Sequence, residues 1–431
     1  MKWGPPCIQQ PAQVGIGSED CLIPDVWKPA DAKEGDKLPV IVYIHTSQGF
    51  PLYDWVNQSK TKIVGVTIVF RLNLLGFLAD DAVQQDGDLN VGLLDHKRAA
   101  LEWVQRHITK FGGDPDQVTI DGQSAGGGSV IVQMVAFGGS KPTPFKRAIG
   151  QSMGHNSTPT AEEAEVAFKV VGCPASGPES MPCLRRASVG VIVATINAGP
   201  GIPPGLVIDG SSGILPNLPK GTLLPPPDEL VTEEDVLRNV FGDWPHLTSE
   251  IIQQALALYP ALGTPGSPYG TQYDRAGTID MMVECLDWLL ANKSREKGAK
   301  NVFTYRVNSP NPVLLAEFPF QGVMHTSDLF YLFDGEHYSY SFIDFPELAE
   351  RIYTRNNVRM TLVSANRRYQ THLHPISSAP NAGFTSTPFN STEDALSKDL
   401  MSASIMDVAP PDEVERCKFW MSENVIRQTR L

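Results

Sequence analysis

The sequence predicts an α/β fold, with a mostly parallel central sheet and helices on both faces. Two continuous apolar runs rich in β-branched residues, 39–45 and 63–70, have the composition of strands that are buried on both faces. Helical and strand patterns then alternate in the order 92–111, 118–121, 130–137 and 145–150. Such an alternation is typical of parallel strands that are joined by crossover helices.

The helix predicted over 92–111 is amphipathic. Apolar residues such as Leu101 and Val104 fall near one stripe, and charged residues such as Glu102 lie mostly outside it. The Asp114-Pro115 pair that follows predicts a turn before the strand at 118–121. Helix and strand are therefore expected to be separated by a short loop.

The second half of the chain is organised differently. Eight prolines between 199 and 227 predict an irregular, Pro-rich segment. Helices are predicted over 232–258 and 279–297, and a strand over 302–307. Beyond about residue 361 the periodicity is weak.

The composition excludes several classes of protein. The chain has 431 residues, of which 42% are hydrophobic and 19% charged, and this is enough apolar material for a large core. The net charge of −13, without a basic run, argues against nucleic acid as a partner. No apolar run of 18 residues is present, so no transmembrane segment is predicted, and residues 1–10 do not have the pattern of a signal peptide.

The strongest chemical motif is G-x-S-x-G at 122–126, which makes Ser124 the candidate nucleophile. Glycines at these positions allow a tight turn between a strand and a helix, and the turn exposes the serine hydroxyl. A second match at 150–154 contains Ser152, but the residues after it are rich in turn formers and make a poor helix start. A Gly-rich turn without a catalytic role is the alternative for both. The spacing of Gly126, Gly127 and Gly128 does not fit the G-x-G-x-x-G of dinucleotide-binding folds.

The residues around Ser124 form part of a longer set of landmarks. The set comprises residues 18–22, 38–45, 76–78, 90–95, 103–105, 111–115 and 145–149, with the stretch from Asn90 to Ser129 the most specific. The chain resembles the type B carboxylesterases, the group that includes cholinesterases and fungal secreted lipases. The resemblance implies one domain of α/β-hydrolase fold over residues 1–431, a Ser–Glu/Asp–His triad and hydrolysis of small-molecule or lipid carboxylic esters. It also implies that no metal and no organic cofactor is needed.

Six cysteines and four Asn-x-Ser/Thr sequons bear on the compartment. By spacing alone, Cys7 with Cys21 and Cys173 with Cys183 could close short loops, or all six could be unpaired thiols. The resemblance implies both of these disulfides. Disulfides favour a secreted, extracellular protein, and the sequons at Asn57, Asn156, Asn292 and Asn390 agree with a secreted glycoprotein.

The resemblance also assigns the catalytic base. His325 lies in the segment GVMHTSDLF, which looks like the catalytic histidine loop of the family. A base needs a loop position from which it reaches the serine hydroxyl, and His325 follows the predicted strand at 302–307 after such a loop. The alternative is a surface or capping histidine, and this is the interpretation of the other histidines after Ser124.

The acid and the oxyanion loop depart from the family pattern. The usual acidic segment is not intact, and the nearest carboxylates are Asp228 and Glu229, so Glu229 is the candidate acid. The alternative is that Glu229 is a solvent-exposed acidic residue just before a helix and has no catalytic role. The oxyanion loop reads HTSQGF where relatives carry HGGGF, which leaves the amides of Gly49, Gln48 and Ala125 as the candidate donors.

The function predicted on these grounds is cleavage of carboxylic esters by a serine hydrolase through an acyl-enzyme. The alternative is a non-catalytic cholinesterase-like binding domain or an inactive fragment. The departures also include a short N-terminal region and the loss of the strand that should precede Lys220. Together they predict a truncated gene model, a splice variant or a decayed copy of a longer enzyme.

Overall fold

The structure of the protein is a computed structural model. The described residues are 5–8, 17–45, 50–79, 81–87, 89–153, 171–174, 176–198, 232, 234, 237, 247–267, 269, 272, 275, 285, 290, 293–294, 296, 303–304, 329, 332–333, 374–375 and 411–429. The chain divides into two compact units, Met1–Gly221 with Arg430–Leu431, and Thr222–Thr429.

The first unit is built on a five-stranded sheet with the strand order β1-β3-β2-β4-β5. The strands are β1 (Asp25–Trp27), β2 (Leu38–Ile44), β3 (Val64–Ile68), β4 (Gly113–Gln123) and β5 (Arg147–Gln151). Strands β3, β2, β4 and β5 are mutually parallel, and only β1, at the edge, pairs antiparallel with its neighbour. The prediction of a mostly parallel sheet is confirmed.

One face of the sheet carries the main apolar core. Alternate residues of β2, β3 and β4 contribute to it, together with residues of the helical region before β4 and of the helix after it. The cluster consists of Val40, Val42, Ile44, Val64, Val66, Ile68, Phe70, Leu101, Val104, Ile108, Val118, Ile120 and Val130. Successive residues of β2 and β3 are buried, as expected of strands that are covered on both faces of the sheet.

The helices of the first unit lie in the connections between the strands. Those before β4 are α1 (Tyr53–Gln58), α2 (Asn73–Phe77), α3 (Asp81–Asp86), α4 (Val91–Leu94) and α5 (Glu102–His107), and α6 (Ala125–Val135) follows β4. Two further helices, Ser180–Arg186 and Val189–Ala198, come later in the chain. This order matches the predicted alternation of strands and helices.

The helix predicted over 92–111 is present, but it is not uniform. Between α4 and α5 the residues Asp95–Leu101 form a π-helix, and Ile108–Phe111 form a 3₁₀ turn. Asp95, at the start of the π-helix, is 5% exposed and accepts three hydrogen bonds from Arg71: from the backbone N at 3.1 Å, Nε at 2.9 Å and Nη2 at 2.7 Å. This ion pair links the segment that follows β3 to the start of the π-helix.

The loop predicted at Asp114-Pro115 is replaced by strand. Strand β4 begins at Gly113, which pairs with Leu38, and the next pair is Val40 with Val118, so the register shifts between them. The extra residues on β4 form a bulge, in which the Asp116 N–H donates to Asp114 Oδ1 at 2.9 Å. The hydrogen bond typical of an Asp turn is therefore present, but it lies within β4, because the residues on either side of it pair with β2.

Both disulfides that the resemblance implies are present in the first unit. Cys7 is bonded to Cys21, and Cys173 to Cys183. Cys7 and Cys21 are buried with Val69, next to the end of β3. The first disulfide therefore holds the N-terminal segment to the sheet.

The described part of the second unit is mainly helical. Its longer helices are Ser249–Leu258, Pro411–Trp420 and Glu423–Thr429. A third disulfide, Cys285–Cys417, joins residues that are 132 positions apart, and this bond was not predicted. Trp420 is fully buried, and its Nε1 donates to the hydroxyl of Tyr259 at 2.9 Å.

The prediction of one continuous helix over 232–258 is wrong, because the chain is not helical immediately before Ser249. Leu247 and Thr248 are not helical, and a new helix begins at Ser249. The Thr248 hydroxyl accepts from the N–H of Ile251 at 3.4 Å, so this residue acts as an N-cap and starts the helix there.

Several predictions concern residues that the structure does not describe or test. The Pro-rich segment 199–227 lies outside the described residues, and the single domain over 1–431 stays a prediction. Among the described residues, no helix combines the length and the hydropathy that crossing a membrane requires.

Candidate active site

Ser124 occupies a sharp turn between β4 and α6. Its backbone angles are φ 56° and ψ −118°, which are close to those of the first central residue of a type II′ turn, where glycine dominates. Its N–H donates to the Gln151 carbonyl at the end of β5, at 2.9 Å, and its own carbonyl accepts from Gly128 at 2.8 Å. The strained residue is therefore held from both sides, by the neighbouring strand and by the first turn of α6.

The glycines of the motif are required by close backbone packing. A Cβ on Gly126 would lie 2.1 Å from the carbonyl oxygen of Ile44, and one on Gly122 would lie 2.6 Å from the backbone of Gly126. A Cβ on Gly127 would lie 2.8 Å from the Gln151 carbonyl oxygen. The start of α6 thus rests directly on the ends of β2 and β5, an approach that side chains would prevent.

The first helical residue, Ala125, is exposed, whereas the next eight residues of α6 are buried. Its amide belongs to the first turn of the helix, where N–H groups have no partner within the helix and the helix dipole is positive. The Ser129 hydroxyl donates to the Ala125 carbonyl at 2.9 Å. This turn can stabilise a negative charge that develops next to Ser124.

The end of β2 lies beside this turn and carries a cluster of buried rings. The His45 and Phe50 rings are 3.8 Å apart, and Tyr43 contacts Phe50 at 5.8 Å and Trp55 at 5.6 Å between ring centroids. His45 and Phe50 flank the candidate oxyanion loop, so their contact brings the two ends of this loop together. This aromatic cluster was not predicted, although three of its rings lie within the segment YIHTSQGF.

Ser152, the second motif match, follows the last residue of β5. It also has a positive φ, of 42°. A Cβ on Gly150 would meet the flexible Met153 side chain, with Sδ at 2.3 Å, rather than the start of a helix. Ser124 is therefore the only one of the two serines that the described residues show at the start of a helix.

Two buried amides lie at the base of the turn. Gln123 and Gln151 are paired across β4 and β5, and their side chains are 1% and 4% exposed. Residues paired in register on neighbouring strands point to the same face of a sheet, so these side chains are neighbours. Neither glutamine was predicted to contribute to the site.

Four of the other predicted site residues fall in parts of the chain that the structure does not describe. They are His325, Glu229, Gln48 and Gly49. Of the predicted triad and oxyanion donors, the structure describes Ser124 and Ala125, which are adjacent.

The resolved pKa shifts concern carboxyl groups outside the motif. Burial raises the pKa of Asp25 on β1. A hydrogen bond from Lys62 lowers the pKa of Asp31, and one from Arg185 lowers the pKa of Asp86. None of these three carboxyl groups belongs to the turn that contains Ser124.

A parallel sheet that ends in a strained serine turn before a helix defines the α/β-hydrolase class. The fold agrees with a solved structure, that of EstA of Aspergillus niger, with a TM-score of 0.75 and 24% identity over all of this chain and 89% of that chain. A family model described as the carboxylesterase family matches residues 2–242, more than half of the chain. The chain belongs to the carboxylesterase family.

Curated relatives have similar sequences over most of this chain. Lipase 1 of Geotrichum candidum is 30% identical over 73% of this chain and 65% of its own length. The secreted triacylglycerol lipase LIP1 of Gibberella zeae is 30% identical over 74% of this chain and 63% of its own length. Carboxylesterase patB of Penicillium expansum is 39% identical over 32% of this chain and 28% of its own length. The chain spans less than two thirds of the length of these relatives.

Proposed function

We propose that the protein hydrolyses carboxylic esters with Ser124 as the nucleophile. The observation that carries the proposal is the turn itself, where a non-glycine residue is held at φ 56° between β4 and α6. Backbone strain of this kind costs about 1–3 kcal/mol and persists at sites where it serves a function. The names of the relatives, lipase and carboxylesterase, support a small-molecule or lipid ester as the substrate.

The reaction assigns a role to each predicted residue. Ser124 Oγ attacks the carbonyl carbon, while His325 accepts the hydroxyl proton and then donates it to the leaving alcohol. The amides of Ala125 and Gly49, with Gln48 as a further donor, stabilise the oxyanion. Glu229 is the proposed acid that orients His325. Water then attacks the acyl-enzyme and releases the carboxylic acid.

The same proposal places the protein outside the cell, as a secreted glycoprotein. Three disulfides include all six cysteines of the chain, and structural disulfides are typical of oxidising compartments. The similarity to a lipase that is described as secreted supports the same compartment.

Labelling with a fluorophosphonate probe tests the nucleophile. Wild type is expected to be labelled on the peptide that contains Ser124, and Ser124→Ala to lose both labelling and ester hydrolysis, the latter by at least about 10³-fold. Alanine meets the same backbone penalty as serine at a positive φ, so the variant removes the hydroxyl and leaves the strain of the turn unchanged.

Ser152→Ala is the matched control, because Ser152 also follows a strand at a positive φ. It should keep its labelling at Ser124. If wild type with a native circular dichroism spectrum is not labelled, the hydrolase proposal is wrong, and the non-catalytic binding domain becomes the better interpretation.

A further inference from the structure

We propose that Asn57 is a site of N-linked glycosylation. The residue opens the sequon Asn57-Gln58-Ser59, which satisfies the Asn-x-Ser/Thr rule and has no proline in the middle position. The asparagines of the other three sequons lie outside the described residues, so Asn57 is the sequon asparagine whose surroundings the structure describes. The inference rests on the secretion that forms part of the proposed function.

The packing of α1 turns Asn57 towards solvent. Trp55 and Val56 are the buried residues of this helix, Leu52 at its N-cap is also buried, and the Trp55 ring contacts Tyr43 on the sheet. Asn57 and Gln58, in the last turn, are exposed. An attached glycan would extend from the polar side of the helix and would displace no core residue.

The chain around the sequon also stays accessible after folding. Ser59 ends α1 with extended backbone angles, φ −67° and ψ 116°, and its N–H donates to the Trp55 carbonyl at 3.1 Å. Residues 60–62, which follow, are all exposed. A bulky, hydrated glycan is compatible with a surface of this kind, whereas a buried asparagine could not carry one.

The modification is a transfer of an oligosaccharide from a lipid diphosphate carrier. The Asn57 side-chain nitrogen Nδ2 forms a bond to the anomeric carbon of the sugar and loses one proton. The bond between that carbon and the diphosphate oxygen breaks, and the lipid diphosphate leaves. No oxidation or reduction takes place.

Peptide mapping of the secreted protein tests the site. The full chain is expressed behind a secretion leader in yeast, and its disulfides are verified by mass. Trypsin then releases the peptide 38–60, in which Asn57 is the only sequon. In most molecules this peptide should carry a glycan, and peptide-N-glycosidase in heavy-oxygen water should convert Asn57 to a labelled aspartate.

Two substitutions at Ser59 provide matched controls. Ser59→Ala removes the sequon and should abolish the modification, whereas Ser59→Thr preserves the sequon and should retain it. The Ser59 hydroxyl contacts Thr61 at 3.4 Å on the surface, so neither change disturbs the core. An unmodified peptide 38–60 from secreted, disulfide-bonded wild type would overturn the proposal. Mapping Ser124→Ala as well separates this result from the hydrolase proposal, because glycosylation does not require the nucleophile.

Discussion

Gly126 shows how little space the nucleophile turn leaves for side chains. The position lies inside α6, where alanine is intrinsically better than glycine by about 1 kcal/mol. The carbonyl oxygen of Ile44 nevertheless lies only 2.1 Å from the place of a Cβ. Because ordinary contacts are above about 3.4 Å, that carbonyl or the helix would have to move by about 1 Å. At this residue the steric conflict outweighs the helix propensity.

Gly126→Ala is therefore expected to damage both stability and activity. Overpacking of this kind costs about 1–3 kcal/mol, and a displacement of about 1 Å at a reacting group can reduce the rate about 10²-fold. Urea unfolding and the rate of fluorophosphonate labelling measure the two effects.

Gly190→Ala is the control for this substitution. Gly190 lies in the helix Val189–Ala198, where the atom nearest to the place of a Cβ, Ser188 Oγ, is 3.9 Å away. That variant should be as stable as wild type or slightly more so, with unchanged labelling. Equal behaviour of the two variants would show that the close approach at Gly126 is not rigid.

At the scale of elements, the ion pair of Arg71 and Asp95 links two segments of different kinds. Asp95 begins the π-helix Asp95–Leu101, and Arg71 lies three residues after β3. A π-helix is a rare, wide turn, and such turns occur frequently at functional sites. Three hydrogen bonds to one buried carboxylate stabilise the position of this turn against the sheet.

Asp95→Asn keeps the shape of the side chain but removes its charge. We expect the free energy of unfolding to fall by about 2–3 kcal/mol, because Arg71 loses its charged partner at a largely buried site. Glu102→Gln is the comparison, since Glu102 pairs with Arg106 at 3.5 Å on the surface of α5 and such pairs contribute little. The urea midpoints of the two variants should differ clearly. A loss in Glu102→Gln as large as in Asp95→Asn would contradict this explanation.

At the scale of the molecule, the disulfides close loops of very different length. Cys173–Cys183 spans 10 residues, whereas Cys285–Cys417 spans 132. In the chain-entropy description, a crosslink restricts the unfolded chain more when its loop is longer. The long bond therefore limits the unfolded ensemble of the second unit much more than the short bond limits that of the first.

Replacing each pair by serines tests this difference. Cys285→Ser with Cys417→Ser should cost about 2 kcal/mol more than Cys173→Ser with Cys183→Ser. Unfolding in urea without reductant is the measurement. Similar losses in the two double variants would mean that local packing around the sulfurs, rather than loop closure, determines their contribution.

Sequence patterns predict the parts of this fold that depend on local chemistry. The apolar run at 39–45 predicts β2 to within one residue, and the glycine spacing around Ser124 predicts the turn that the structure shows. The bond between Cys285 and Cys417 was not predicted, because it depends on the tertiary structure of a whole unit. The helix start at Ser249 was missed although Gly242 and Pro245, which disfavour a helix interior, precede the cap at Thr248 in the sequence. The roles of His325 and Glu229 stay predictions.

The strained backbone of Ser124 affects which residues evolution can place at this position of the fold. Glycine would adopt the same angles without strain, so Ser124→Gly should give a more stable protein that lacks a nucleophile. A lineage that has lost the need for catalysis gains stability by that single change, whereas an enzyme cannot accept it. Among proteins built on this scaffold, glycine at the position of Ser124 would therefore mark those that are released from selection for hydrolysis.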